Sequence, residues 1–148
     1  RMQVILRAFE KEDIPQVAAL EKQLFSDAWS EALFVSAFHR LDFYGLILEE
    51  QSASGSRIIG YLCGNHLFEQ AELAVIAVEK TAQNKGYGKK LLDTFLEAMS
   101  AFGVTDIFLE VRLSNLAALH LYESRGFVKT RLRTGYYEDG EDAWEMKK

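Results

Sequence analysis

The sequence predicts an α/β (α+β) fold: one mixed sheet with helices on both faces. Three observations lead there. Segments of period two and of period 3.6 follow one another in the order β-α-α-β-β-β-α-β-α-β-β, without repeats or linkers. The stretch Glu72-Leu73-Ala74-Val75-Ile76-Ala77-Val78 is apolar enough for a central strand covered on both faces. At Gly86 the apolar period lengthens, and Leu91, Leu92, Phe95, Leu96 and Met99 recur at three- and four-residue steps. The 148 residues match one ordinary domain, so 1–148 is expected to be a single domain.

Residues 3–9 read as the first strand. Asp13 looks like the cap of a helix that carries Pro15, the single proline, in its first turn. Ser30 caps a second helix through about Arg40, with Leu33, Phe34, Ala37 and Phe38 on one face. Strands at 43–50 and 57–68 flank the small polar turn from Gln51 to Ser56. After the 72–78 strand, the helix that starts beyond Gly86 closes at Gly103. Thr105 to Leu113 is a strand with Ile107, Leu109, Val111 and Leu113 on one face and Phe108, Glu110 and Arg112 on the other. A helix from Asn115 to Arg125 ends at Gly126. Strands near 127–134 and 141–147 surround the turn Glu138-Asp139-Gly140.

Composition excludes several classes. The chain is 49% hydrophobic and 26% charged, with 10 Phe, 6 Tyr and 2 Trp, the makeup of a chain with a real core. The single Cys63, in an apolar stretch, reads as an inert buried thiol, and the three His form no zinc spacing with it, so no metal is expected. The net charge of −5 argues against nucleic-acid binding and is compatible with a basic peptide substrate. No apolar run reaches the ~20 residues of a membrane span, and Arg1 to Leu6 do not resemble a signal peptide. A cytoplasmic protein without membrane contact is the expectation. Arg1 ahead of Met2 reads as an expression remnant.

The sharpest local signal is Gln83-Asn84-Lys85-Gly86-Tyr87-Gly88-Lys89-Lys90, placed between a buried strand and an amphipathic helix. Glycines allow close backbone approach, and uncapped N–H groups at a helix start favour an anion. Lysines 85, 89 and 90 add positive charge. The dinucleotide fingerprint fails because Leu91 stands where its third glycine belongs. The nucleotide-triphosphate loop fails because position 83 is Gln and Lys90 follows Lys89. A phosphate or pyrophosphate cradle and an ordinary turn with solubilising lysines both remain open.

The string matches Gln/Arg-x-x-Gly-x-Gly/Ala, and here the chain, over residues 3–147, resembles the GNAT acyltransferases. The resemblance implies the GNAT acyl-CoA N-acyltransferase fold, with a mostly antiparallel mixed sheet of about seven strands. It also implies acetyl-CoA as co-substrate, its pantetheine arm along Ile76, Ala77 and Val78 and its pyrophosphate over Asn84, Lys85, Gly86, Tyr87, Gly88 and Lys89.

Amide formation from a thioester needs a base for the amine, a donor for the carbonyl oxygen and an acid for the thiolate. Glu110 is the only acidic residue in its strand after Asp106, and suits a base; a carboxylate paired with Arg112 is the alternative. Tyr122, late in the next helix, is an acid or a core aromatic. Asn115 reads as that helix's cap. The segment Leu109-Glu110-Val111-Arg112-Leu113-Ser114-Asn115, with Leu121-Tyr122-Glu123 and Gly126-Phe127, resembles the ribosomal-protein-alanine N-acetyltransferase branch of the family. That resemblance implies Glu110 as base, Tyr122 as acid and Asn115 as a coenzyme contact. Trp29-Ser30 and Tyr136-Tyr137 resemble its helix start and its Tyr-Tyr turn, and imply substrate contacts at Trp29, Tyr136 and Tyr137.

Ala28 replaces that branch's usual Pro, and Gly135 a common polar residue, both near the expected acceptor groove. The Tyr-Tyr turn with Glu138, Asp139, Glu141 and Asp142 is an acidic lip for a cationic N-terminus or a solvated hairpin. The expected activity is acetylation of a protein N-terminus, the N-terminal alanine of a small-subunit ribosomal protein. A small amine or lysine acceptor, and an idle coenzyme-binding module, are the alternatives.

Overall fold

The apolar residues between Phe43 and Leu67 supply the two longest strands, and their hairpin organises the rest of the sheet. The computed structural model describes residues 2–148, so Arg1 lies outside the described residues. β2 (Phe43–Ser52) and β3 (Gly55–Leu67) pair antiparallel from Phe43↔Asn65 to Ser52↔Gly55. The polar turn is therefore tighter than the sequence suggests, because its outer residues continue the ladder. β1 (Gln3–Ala8) adds to β2, and β4 (Gln70–Val78) to β3, both antiparallel. β5 (Asp106–Arg112) lies parallel to β4. β7 (Ala143–Lys147) pairs antiparallel with β5, and β6 (Val128–Arg133) with β7. Among the described residues the order is β1-β2-β3-β4-β5-β7-β6, a mixed and mostly antiparallel seven-stranded sheet.

α1 (Ile14–Leu24) and α2 (Glu31–Phe38) cover one face, where Val17, Leu20 and Phe34 pack with Ile47, Ile58 and Tyr61. α3 (Tyr87–Ala101) and α4 (Leu116–Ser124) cover the other. There Leu91, Leu92, Phe95 and Met99 are fully buried against Leu48, Leu62, Leu109 and Met146. Full burial of such a side chain stabilises by roughly 1.5–3 kcal/mol. The 3.6-residue spacing read from Gly86 onward is the buried stripe of α3. Among the described residues no helix is long and apolar enough to cross a membrane.

Two local expectations change. Asp13 does not act as a side-chain cap for α1; its backbone is already helical, at the end of a 3-10 turn spanning Lys11–Asp13. Its buried carboxylate accepts from both terminal nitrogens of Arg7 (2.8 and 2.9 Å) and from the Glu10 N–H (2.7 Å). Ser30 does cap α2, accepting from the Leu33 N–H at 3.1 Å. Leu33 itself is 46% exposed while Phe34 is buried. One step along a helix turns a side chain by roughly 100°, so the two cannot share one narrow face.

β4 carries a bulge that the unbroken apolar run conceals. Cys63 stands opposite Val75 and Gly64 opposite Leu73, so Ala74 is the extra residue. The close approach needs Gly64, because a Cβ there would lie 2.5 Å from the Glu72 carbonyl oxygen.

Candidate active site

The site begins where the sheet opens. β4 and β5 are paired only from Gln70↔Asp106 to Glu72↔Phe108, and beyond Glu72 they part. The Glu79 N–H donates to the Ile59 carbonyl at 2.8 Å, towards β3. Backbone groups alternate along a strand, so the N–H groups of Val78 and Ile76 face the slot, while those of Ala77 turn to β3. The Val78 carbonyl, also on the slot side, accepts from the Gln83 side chain at 2.9 Å. Gln83 thus ties the end of β4 to the turn that follows.

That turn winds into α3 through Asn84 (φ 63°) and Gly86 (φ 85°), both left-handed. A Cβ on Gly86 would meet nothing within 4 Å, so conformation and not space selects glycine there. The first N–H groups of α3 have no partner within the helix and carry the positive end of its dipole. Together with Ile76, Ala77, Val78, Lys80 and Lys89 they border a cavity of about 430 Å³. Asn84, Gly86, Tyr87, Gly88, Asn115 and Tyr122 also line it, whereas Lys85 is exposed and does not. Amides and lysines at one end, with an apolar slot at the other, form a donor set that fits a pyrophosphate with an extended arm.

A second cavity of about 480 Å³ adjoins the first and shares Leu24, Phe25, Ile76, Asn115 and Tyr122 with it. Glu110, Trp29 and Tyr137 line this second space. Glu110 is half-buried on the face of β5 away from Leu109, and burial raises its carboxyl above the usual range. Glu72 and Glu145 add to that rise, while Arg133 and the Tyr136 hydroxyl oppose it. That hydroxyl donates to the Glu110 Oε1 over 3.4 Å. Arg112 makes no pair with Glu110; it binds Asp27, Asp139 and Glu141 instead.

Tyr122 is only 5% exposed and stands in the wall common to both cavities. Among the described residues its hydroxyl has no hydrogen-bond partner, and burial pushes its pKa up. Asn115 is the N-cap of α4, its Oδ1 accepting from the Ala118 N–H at 3.1 Å, and it too faces both cavities. The Trp29 ring packs 5.1 Å from Phe34 at the far side of the second cavity. Burial pushes the Tyr137 hydroxyl up to about 12. Tyr136, 46% exposed, stands edge-on to Tyr137 at the rim.

The acidic lip is largely committed to internal bonds. Asp139 and Glu141 both accept from Arg112, and Asp142 accepts from the Gly135 N–H at 2.8 Å. Glu21, unremarked in the sequence, is 3% exposed and lines the second cavity. It accepts from the Tyr61 hydroxyl at 2.5 Å and the Trp29 N–H at 2.9 Å. Burial raises its carboxyl despite these bonds. In Leu20-Glu21-Lys22 nothing distinguishes it from a surface acid, so no sequence signal could have found it. Lys80 carried a weak one, a cation two residues past the end of the apolar strand. Burial likewise pushes the Cys63 thiol up.

This sheet, opened at one seam beside a glycine-bearing helix start, defines a class. Residues 13–127 match the model of the acetyltransferase (GNAT) family, and the chain belongs to that family. It is an acetyl-CoA-dependent N-acetyltransferase. The ribosomal protein bS18-alanine N-acetyltransferase of Escherichia coli (strain K12) is 33% identical over 132 residues, 89% of this chain and 86% of its own length. An N-alpha-acetyltransferase of Saccharolobus solfataricus is 29% identical, covering 95% of this chain and 90% of that protein. The crystal structure of the ribosomal-protein-S18-alanine N-acetyltransferase from Escherichia coli matches with a TM-score of 0.87 at 31% identity. It covers 98% of this chain and 92% of that one.

Proposed function

We propose that this enzyme, a single cytoplasmic domain over 1–148, acetylates protein N-termini, with the N-terminal alanine of a small-subunit ribosomal protein as the preferred acceptor. The observation that carries the proposal is the shared wall between the two cavities. An acyl group lying along β4 and an amine entering past Trp29 and Tyr137 meet at Tyr122, with Glu110 on the amine's side. The relatives' names support the ribosomal acceptor.

The coenzyme supplies an acyl group activated as a thioester. The Val78 and Ile76 N–H groups hold its arm and the Val78 N–H stabilises the carbonyl oxygen as charge builds there. The turn from Asn84 to Lys89, with Asn115, holds the rest. An α-amine titrates near ~8 and arrives mostly protonated at neutral pH. Glu110 takes its proton, directly or through water, and Tyr122 gives a proton to the departing sulfur. Trp29, Tyr136 and Tyr137 contact the acceptor.

Mass spectrometry of a peptide panel incubated with acetyl-CoA tests this. Acetylation confined to the α-amine of peptides beginning with Ala is the expected result. Equal modification of lysine side chains or of free polyamines would overturn the acceptor assignment. The N-alpha-acetyltransferase relative supports a second, broader reading, in which N-termini other than Ala react comparably.

A further inference from the structure

Arg112 follows Glu110 by two residues on β5, and its guanidinium joins two segments distant in sequence. Its Nη2 donates to Asp27 (3.0 Å), between α1 and α2. Its Nη1 donates to Asp139 and Glu141, both at 2.8 Å, between β6 and β7. Its Cζ lies over the Tyr137 ring, 4.0 Å from the ring centre. The second Glu141 oxygen accepts from the Ser114 N–H at 2.9 Å, anchoring the bridge to the end of β5. These two segments face each other across an opening of about 360 Å³ between Ser26, Asp27, Ala28 and Tyr136, Tyr137, Glu138. Ser26, Asp27 and Tyr137 also border the cavity that holds Glu110, so the opening is continuous with it.

We propose that Arg112 is a positioning residue that sets the spacing of the two segments flanking the acceptor's path and holds Tyr137 against the strand carrying Glu110. The inference rests on the reading that the amine enters by this cavity. A planar, permanently charged fork with several donors can serve carboxylates from both sides while lying over a ring; a lysine ammonium supplies one point charge. Without the cation, Asp27 would stand beside Asp139 and Glu141 with no positive charge between them, and like charges would drive the segments apart. One arginine among three carboxylates leaves the mouth acidic, which favours an acceptor arriving as an ammonium.

The test compares Arg112→Lys, Arg112→Gln and Asp27→Asn with the unsubstituted enzyme, in two arms. In hydrogen exchange of the enzyme with acetyl-CoA, both Arg112 variants should lose protection at 25–30 and at 134–142 together, while 83–90 keeps its own. In steady-state kinetics with a peptide bearing N-terminal Ala, the peptide KM should rise about tenfold or more, with the acetyl-CoA KM within about twofold. In the Arg112 variants, unchanged exchange, or loosening of one segment alone, overturns the proposal, as does an unchanged peptide KM. The exchange arm needs no acceptor, so an unsubstituted enzyme that ignores the peptide refutes the acceptor reading and leaves the bridge to be judged separately. Should the Arg112 variants fail to fold, Asp27→Asn decides: loosening at 25–30 with a smaller rise in peptide KM supports the bridge, and no change in either refutes it.

Discussion

Glu110 and Glu145 stand directly opposite each other on the antiparallel strands β5 and β7. Glu145 is satisfied by Arg133, through Nε at 3.1 Å and Nη2 at 2.8 Å. Among the described residues Glu110 has only the long bond from Tyr136, so burial, with Glu72 and then Glu145 as like charges, disfavours its anion.

That cost predicts a paired change in activity and stability. A carboxyl whose pKa is raised in the folded state is less favourable as an anion there than in the unfolded chain. Stability from this group is full below the unfolded pKa and falls as pH rises through the folded one. Glu110→Gln removes the penalty, so its melting temperature at pH 7 should exceed that of the unsubstituted enzyme, with the gap closing near pH 4. Acetyl transfer should fall by about 10²-fold or more. In the unsubstituted enzyme the rate should decline as pH drops through a midpoint above the ordinary carboxylate value. A lower melting temperature at pH 7 would contradict the electrostatic account.

Tyr122→Phe separates chemistry from packing. Its ring touches Phe127 at 5.8 Å between centroids, and that contact survives the substitution. With no partner among the described residues to lose, the hydroxyl's removal should leave the thermal midpoint within about a degree. The turnover number should fall by about 10²-fold while acetyl-CoA still binds, as titration calorimetry would report.

Gly86→Ala probes the turn. The new methyl meets nothing, but the left-handed φ of 85° costs an L residue about 1–2 kcal/mol. The expected result is a raised KM for acetyl-CoA at unchanged peptide KM, with a small loss of denaturant stability. Equal rises in both Michaelis constants would show that the turn serves more than the coenzyme.

Gly64→Ala probes the bulge. Its Cβ would fall 2.5 Å from a backbone oxygen and 3.1 Å from the Phe95 ring, neither of which is the end of a flexible chain. Urea unfolding should show a loss on the order of 2 kcal/mol. Because Ala74, the extra residue of this bulge, lines the cavity that holds Glu110, residual activity should show a peptide defect larger than the coenzyme defect.

The legible parts of the molecule were those set by neighbours in sequence. Alternation in 105–113 placed Leu109 and Glu110 on opposite faces because side-chain direction follows strand geometry. The stripe from Leu91 to Met99 and the glycine at 86 marked α3 for the same local reason. Features that depend on distant partners left no trace. Nothing near Ala74 announces a bulge, since an apolar run hides a change of face. Glu21 lies 40 residues from its partner Tyr61, and Arg112 lies 85 from Asp27. Asp139 and Glu141 read as a charged lip because the arginine that claims them sits on another strand.

The seam between β4 and β5 is only three residue pairs long, from Gln70–Asp106 to Glu72–Phe108. Mechanically, the sheet is two plates, β1 to β4 and β5 with β7 and β6, joined at one corner like the covers of a half-open book. Val78 rides on one cover and Glu110 on the other, so a rotation at the corner changes their separation. The separation of Val78 and Glu110 therefore depends on residues 70–72 and 106–108, which line neither of the two cavities.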